Sequence, residues 1–244
     1  MKFKDGPLVL GRFKERLHRF GAMVEVRGKS EYCAVTNSGR LRELLFPGNK
    51  VALVDHKGAL TKTGKPRKTR YSIRLALFQG AWVSIEANLA PKLLHEAWLE
   101  GRVPELKSYD SLKAEVPLNR HTRFDFQGKN NREGEKAWVE VKCVTLVEKG
   151  GVALFPDAPS ERASKHLREL MSLSRRKGVK AFVFFILQNP KGKGVAPKEE
   201  TDPIFAQTLR ACLKSKVRVF AYRATLGLKS ARLEARVPVW GKRP

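Results

Sequence analysis

Large apolar and charged residues alternate at period two along Arg123-Phe124-Asp125-Phe126, and again along Trp138-Val139-Glu140-Val141-Lys142-Cys143. Such alternation predicts β-strands. The segment between them, Gly128-Lys129-Asn130-Asn131-Arg132-Glu133-Gly134, is rich in turn formers, so the two strands are expected to pair as an antiparallel hairpin. Parity then assigns faces. Phe124 and Phe126 point one way and Arg123 and Asp125 the other, while Val139, Val141 and Cys143 oppose Glu140 and Lys142. With the apolar faces on a shared core, Asp125, Glu140 and Lys142 meet on one surface.

The same reading extends along the chain. Leu8–Phe13, Met23–Val26, Tyr32–Val35, Val51–Val54, Tyr71–Leu75 and Trp82–Ile85 are short strand candidates punctuated by Gly, Asn, Ser and Pro. This many short strands before residue 86 predicts a small closed barrel of OB type. The pattern then changes. Asn88 can cap a helix carrying Leu93, Leu94, Ala97 and Trp98, with Pro91 in its first turn and Gly101 at its end. A strand at Leu112–Leu118 and the hairpin follow, then a helix Glu161–Lys177 capped by Ser160. The run Val179–Leu187 is apolar almost throughout, as a strand covered on both faces requires. A helix Pro203–Lys214 and a strand Val217–Tyr222 complete an α/β order with a mixed sheet. The fold expected is α/β with a β-barrel, in two domains, 1–85 and 86–244.

Two carboxylates and an ammonium converging on a sheet edge suit metal-dependent phosphodiester chemistry. A hard cation such as Mg²⁺ or Mn²⁺ takes oxygen ligands and keeps several waters, so Asp125 and Glu140 suffice as metal ligands. The metal makes a nucleophile from water and offsets charge on the phosphate, and Lys142 orients that water or steadies the oxyanion. The bland alternative is a salt-bridged sheet face. Glu96, beside the apolar stripe of the first helix, is a candidate third carboxylate. Lys165, His166 and Arg168 on the second helix are candidate phosphate contacts, and His166 is also a conceivable general acid. Ser-based triads, a phosphate-binding glycine loop and a dinucleotide fingerprint are not present as local motifs.

Charge sharpens this picture. The 49 Lys and Arg against 24 Asp and Glu leave +25, which points to a polyanionic partner. Between Asp55 and Glu86 no acidic residue occurs, while Lys57, Lys62, Lys65, Arg67, Lys68, Arg70 and Arg74 do; this interval is expected to track a nucleic-acid backbone, with Tyr71 available to stack. The longest apolar run, Ala181–Leu187, is far shorter than the ~20 residues of a membrane span. No lipidation motif or signal-peptide pattern is visible, and Cys33, Cys143 and Cys212 lack disulfide or zinc spacing. A cytoplasmic protein is expected, with DNA as partner, duplex in form, and a homodimer allowed.

Together, a set of short pieces resembles the sugar fermentation stimulation protein A family over nearly the whole chain. They are His18-Arg19-Phe20, Asn37-x-Gly39, Pro47-Gly48, Arg123-Phe124-Asp125-Phe126, Glu140-Val141-Lys142-x-Val144-Thr145-Leu146 and Phe155-Pro156-Asp157-Ala158. Arg162, Lys165-His166-Leu167-x-Glu169-Leu170 and Asp202-Pro203-x-Phe205-Ala206 complete the set. The resemblance implies an N-terminal OB-like barrel and a C-terminal core similar to PD-(D/E)XK restriction-type nucleases. It also implies DNA binding without marked sequence preference and a regulatory link to sugar (maltose) metabolism. Arg19 and Arg123, within matching pieces, join the expected DNA contacts. The chain departs from the family pattern at Thr36 and Ser38 in the Asn37 loop, at Cys143, where Asn is common, and at Ala163, where Gly is common. The resulting expectation is a DNA-binding protein with a nuclease-like metal site. Its alternatives are an active Mg²⁺- or Mn²⁺-dependent endonuclease and a single-strand or RNA binder built on the barrel.

Overall fold

Six strands fill the first third of the chain: β1 (Val9–His18), β2 (Gly21–Val26), β3 (Lys29–Val35), β4 (Lys50–Asp55), β5 (Tyr71–Phe78) and β6 (Ala81–Ser84). The structure is a computed structural model and describes every residue except Lys4, Asp5, Lys62 and Lys149. The strands are ordered β3-β2-β1-β4-β5-β6, and a parallel pairing of β3 with β5 closes the first five into a barrel. Phe13, Val24, Val51, Leu53 and Ile73 fill its interior at 0–2% exposure. Arg27 and Gly28 both take positive φ (51° and 75°), which is how a two-residue turn joins β2 to β3.

The remainder is an α/β layer structure. Its elements are α1 (Leu89–Leu99), β7 (Ser111–Pro117), β8 (Arg123–Asn130), β9 (Glu135–Val144), β10 (Val152–Phe155), α2 (Glu161–Leu173), β11 (Val179–Leu187), β12 (Gly194–Pro197), α3 (Pro203–Leu213), β13 (Arg218–Leu226) and β14 (Ala231–Val237). The main sheet runs β14-β13-β11-β9-β8-β7, with β11 parallel to both β9 and β13 and the outer pairings antiparallel. Helices α2 and α3 are the crossovers that such parallel pairings require. Strand β11 is buried on both faces, as its apolar run predicts: Phe182, Phe184 and Ile186 pack with α1, and Val183, Phe185 and Leu187 pack with α2 and α3. Phe185→Ala is therefore expected to cost about 3–5 kcal/mol, read as a fall in the urea midpoint.

Gln188, just past β11, ties the two regions together. Its backbone carbonyl accepts from Ser84 N–H (3.2 Å), and its side-chain amide donates to the carbonyls of Ser84 and Glu86 (3.3 and 3.1 Å). At the other edge, Phe3 N–H donates to Lys229 O and Ala231 N–H to Met1 O, so the first residues lie against the β13–β14 turn.

Three local expectations are corrected. Phe124 and Phe126 do not share a face: Phe124 packs toward α2, 5.5 Å from the Trp138 ring, whereas Phe126 packs toward α1 and stacks on His95 at 5.6 Å. The strand turns over between them because β8 pairs with β9 only from Phe126 to Asn130; at Asp125 the side chain, not the ladder, engages β9. Asn88 stands at the start of α1 but its side chain makes no capping bond. Helix α2 ends at Leu173 rather than Lys177, with Ser174 Oγ donating to Met171 O and Gly178 at φ 69° leading into β11. Strands β10, β12 and β14 add to the predicted order.

Candidate active site

Where β8 leaves β9, the end of β9 keeps a neighbour on one side only. There the alternation of β9 sends Glu140 and Lys142 toward α2, and Asp125 reaches in from β8. Asp125 Oδ2 accepts the Val141 N–H at 2.7 Å. Glu140 Oε1 accepts from Lys142 Nζ (2.5 Å) and from His166 Nδ1 (2.8 Å). Arg162, one turn earlier on α2, donates from Nε to His166 Nε2 (3.4 Å), which leaves the imidazole proton on Nδ1, where it is given to Glu140. His166 is 2% exposed and its ring meets Phe124 edge-on at 5.3 Å. Among the described residues, no hydrogen bond engages Asp125 Oδ1 or Glu140 Oε2.

The two carboxylates sit in different electrostatic states. Burial, and then the neighbouring Glu140 charge, push Asp125 up to about 7. Burial also works against the Glu140 charge, but Lys142 and the His166 hydrogen bond outweigh it and hold Glu140 below the ordinary carboxylate value. In the fold Asp125 keeps its proton to higher pH than in the unfolded chain, so stability falls as pH rises from about 4 to about 7. Asp125→Asn lacks that charge. Without divalent cations its melting temperature is expected to rise relative to the parent chain through this window, reaching an advantage on the order of 1–3 kcal/mol by pH 8 and none below pH 4.

The site opens into a cleft of about 330 Å³, lined by Asp125, Glu140, Lys142, Arg162 and Asn88, with the barrel loop Asn37–Gly39 on its far wall. Arg16 of β1 holds that loop, donating to the carbonyls of Asn37, Gly39 and Arg40 (3.0, 2.6 and 2.8 Å). Asp157, after the cis Phe155–Pro156 bond, closes against Gly39: a Cβ there would lie 2.3 Å from the Asp157 carboxylate, so any side chain at 39 would displace that carboxylate. Cys143, on the opposite parity as expected, packs against the α1-side core, is touched by the Gln188 amide at 3.0 Å, and has its thiol pushed up to about 12 by burial.

The donor set fits a hard divalent cation. Two carboxylates each present an oxygen without a protein partner, and burial beside a second carboxylate is a cost that a cation would offset. Among the described residues no group of three or more His, Cys, Asp and Glu is arranged for a metal, so the remaining ligands would be waters or substrate oxygens.

The other predicted residues separate clearly. Glu96 is not part of the cleft; it pairs with the Met1 amino group at 2.6 Å, at the far end of α1 from Asn88. His166 is buried against Glu140 rather than presented to a phosphate. Arg74 is likewise buried, bound to Glu86 at 2.8 Å and lying over the Phe3 ring. Arg70 is held by both oxygens of Asp55 (3.1 and 2.9 Å). The acids that bound the acid-free interval thus neutralise its last two arginines. Lys65, Arg67, Lys68, Arg123 and Lys165 are exposed, Arg123 with only a 3.9 Å approach to Glu115. Arg19 is exposed and lines the cleft. Lys62 lies outside the described residues. Periodicity offered no signal for Arg162 and Asp157, although both fall in the pieces that carried the resemblance.

Comparison with known proteins covers both parts of the chain. A domain described as "SfsA N-terminal OB domain" matches residues 15–85, and "Sugar fermentation stimulation protein RE domain" matches residues 88–230. A sugar fermentation stimulation protein homolog of Desulforamulus reducens is 39% identical over 95% of this chain and 92% of its own length. One of Acetivibrio thermocellus is 38% identical over 94% of each. The solved structure of Pyrococcus furiosus SfsA in complex with Ca²⁺ superposes with a TM-score of 0.84 at 26% identity, covering 98% of both chains.

Proposed function

Since the chain belongs to the sugar fermentation stimulation protein family, we propose that it binds DNA and holds Mg²⁺ or Mn²⁺ between Asp125 and Glu140. The observation that carries this is the pair of carboxylates converging in one cleft with an oxygen of each unengaged, in a chain of net charge +25. The Ca²⁺ complex of the Pyrococcus furiosus relative supports a divalent cation, and the OB domain supports nucleic acid as the partner. Exposed Arg67, Lys68, Arg123 and Lys165 would neutralise backbone phosphates of duplex DNA. A regulatory effect on sugar metabolism would be exerted through that binding. Among the described residues no helix is long and apolar enough to cross a membrane.

Lys142 favours a second reading, hydrolysis of the phosphodiester. Its ammonium stands in the cleft beside the carboxylate that would hold the cation, where a compact positive charge orients a water or steadies a developing oxyanion. A cation bound there would supply the activated water and the Lewis acid. His166 and Arg162 keep Glu140 pointed into the cleft. The test is incubation of supercoiled plasmid with the protein in Mn²⁺, Mg²⁺ or EDTA, with a mobility-shift assay in parallel. A shift in all three conditions is expected from the DNA-binding reading, and nicking in the metal arms alone from hydrolysis. No shift in any condition would refute DNA binding.

A further inference from the structure

Around the β1–β2 turn the barrel carries two exposed aromatic rings, Phe20 in the turn (54% exposed) and Tyr32 on the adjoining β3 (40%), unlike its buried interior. Their placement is specific. The Tyr32 ring lies across Gly21, where a Cβ would come within 2.5 Å of the Tyr32 hydroxyl and 2.6 Å of His18 Nε2, so the missing side chain makes room for it. His18 Nε2 and the Tyr32 hydroxyl share a hydrogen bond of 2.9 Å that fixes the ring. Next to it, the Arg19 guanidinium lies over the Phe20 ring at 5.7 Å, and the same Arg19 lines the cleft that contains Asp125 and Glu140. Arg16 binds the carbonyls of Arg19 and Asn37, so the turn and the wall of the cleft are held as one piece.

Rings left in the open cost solvation and add nothing to the barrel core. Beside the Arg19 guanidinium and the cleft they match what an unpaired base needs, a π-face with a nearby positive charge for its phosphate. A duplex offers only phosphates and groove edges there, because its bases are stacked on each other. We infer that Phe20 and Tyr32 stack unpaired nucleotides at the mouth of the cleft, so that the DNA strand entering the site is single-stranded over the barrel rim. This rests on the proposed DNA binding and adds the form of the substrate.

The experiment is fluorescence anisotropy in EDTA with three labelled probes: a 12-nucleotide oligo-dT, a blunt duplex, and the same duplex with an oligo-dT overhang. The full-length chain is compared with Phe20→Ala/Tyr32→Ala and with Phe20→Tyr, which keeps both rings and the Tyr32 hydroxyl. The alanine pair is expected to weaken oligo-dT and overhang binding by roughly tenfold or more, as loss of base stacking does, while blunt-duplex binding changes less than about twofold. The ring-keeping variant binds as the parent does, and circular dichroism shows both variants folded. Equal loss on all three probes, or no loss on any, overturns the inference, as does conversion of a dimer to a monomer by the alanine pair in size-exclusion chromatography with light scattering. If the parent chain binds none of the probes, the DNA-binding reading itself fails; if it binds the blunt duplex and the alanine pair leaves oligo-dT binding intact, only the stacking does.

Discussion

Asp125→Ala is expected to leave DNA binding in EDTA within about twofold of the parent chain and, on the hydrolysis reading, to remove metal-dependent nicking. The reason lies in how little else the site offers. Asp125 and Glu140 each keep an oxygen that no hydrogen bond among the described residues engages, and deletion of one removes half of the proposed ligand pair for a cation that dehydrates reluctantly. Forfeiting several kcal/mol of charge stabilisation corresponds to roughly a thousandfold or greater loss of rate. Glu140→Gln is expected to match it. His166→Gln should be milder, roughly 10–100-fold, because it acts only by orienting Glu140. Nicking rates of plasmid in Mn²⁺ order the three variants. Residual nicking by Asp125→Ala equal to that of the parent would place the chemistry elsewhere.

DNA affinity is expected to fall by about 10³–10⁵ between 50 and 200 mM salt if ~6–10 phosphates are contacted. Arg67→Glu/Lys68→Glu should weaken binding at low salt and reduce the slope of log affinity against log salt by about one per lost contact. Arg74→Ala is the contrasting case. Its side chain is buried against Glu86, so its loss destabilises the fold and leaves the salt slope unchanged. Titrations at four salt concentrations separate the two classes. A slope that Arg67→Glu/Lys68→Glu does not alter would remove Arg67 and Lys68 from the interface.

The elements best read from the chain are those whose periodicity has one physical cause. Val179–Leu187 is apolar on both parities because helices cover both faces, and it forms β11 with those bounds. Strand β9 keeps strict alternation, so Glu140 and Lys142 were legible as a pair. Parity failed in β8, since nothing in Arg123-Phe124-Asp125-Phe126 signals that a carboxylate will replace a ladder contact and turn the strand over. Charge counting failed at Arg70 and Arg74 because a count along the chain cannot see Asp55 and Glu86 folded back upon them. His166 shows the same limit on a helix. Polar in sequence, it faces inward because Glu140, on β9 and distant along the chain, takes its Nδ1. The cleft wall from Asn37 to Gly39 belongs to the other end of the chain, joined by Arg16 and Asp157, and no local pattern carries that contact.

The central claim, a divalent cation held by Asp125 and Glu140, is tested most directly by thermal unfolding at pH 7.5 with increasing Mn²⁺. The parent chain and Asp125→Asn are compared, each against its own melt in EDTA. At a cation concentration about 100 times the dissociation constant, binding adds about 2.7 kcal/mol to the folded state, which for a chain of this size is a rise of roughly 5–10 °C. The parent chain should show that rise, whereas Asp125→Asn, already the more stable of the two in EDTA, should show none. An equal rise in both, or none in the parent, would contradict the account.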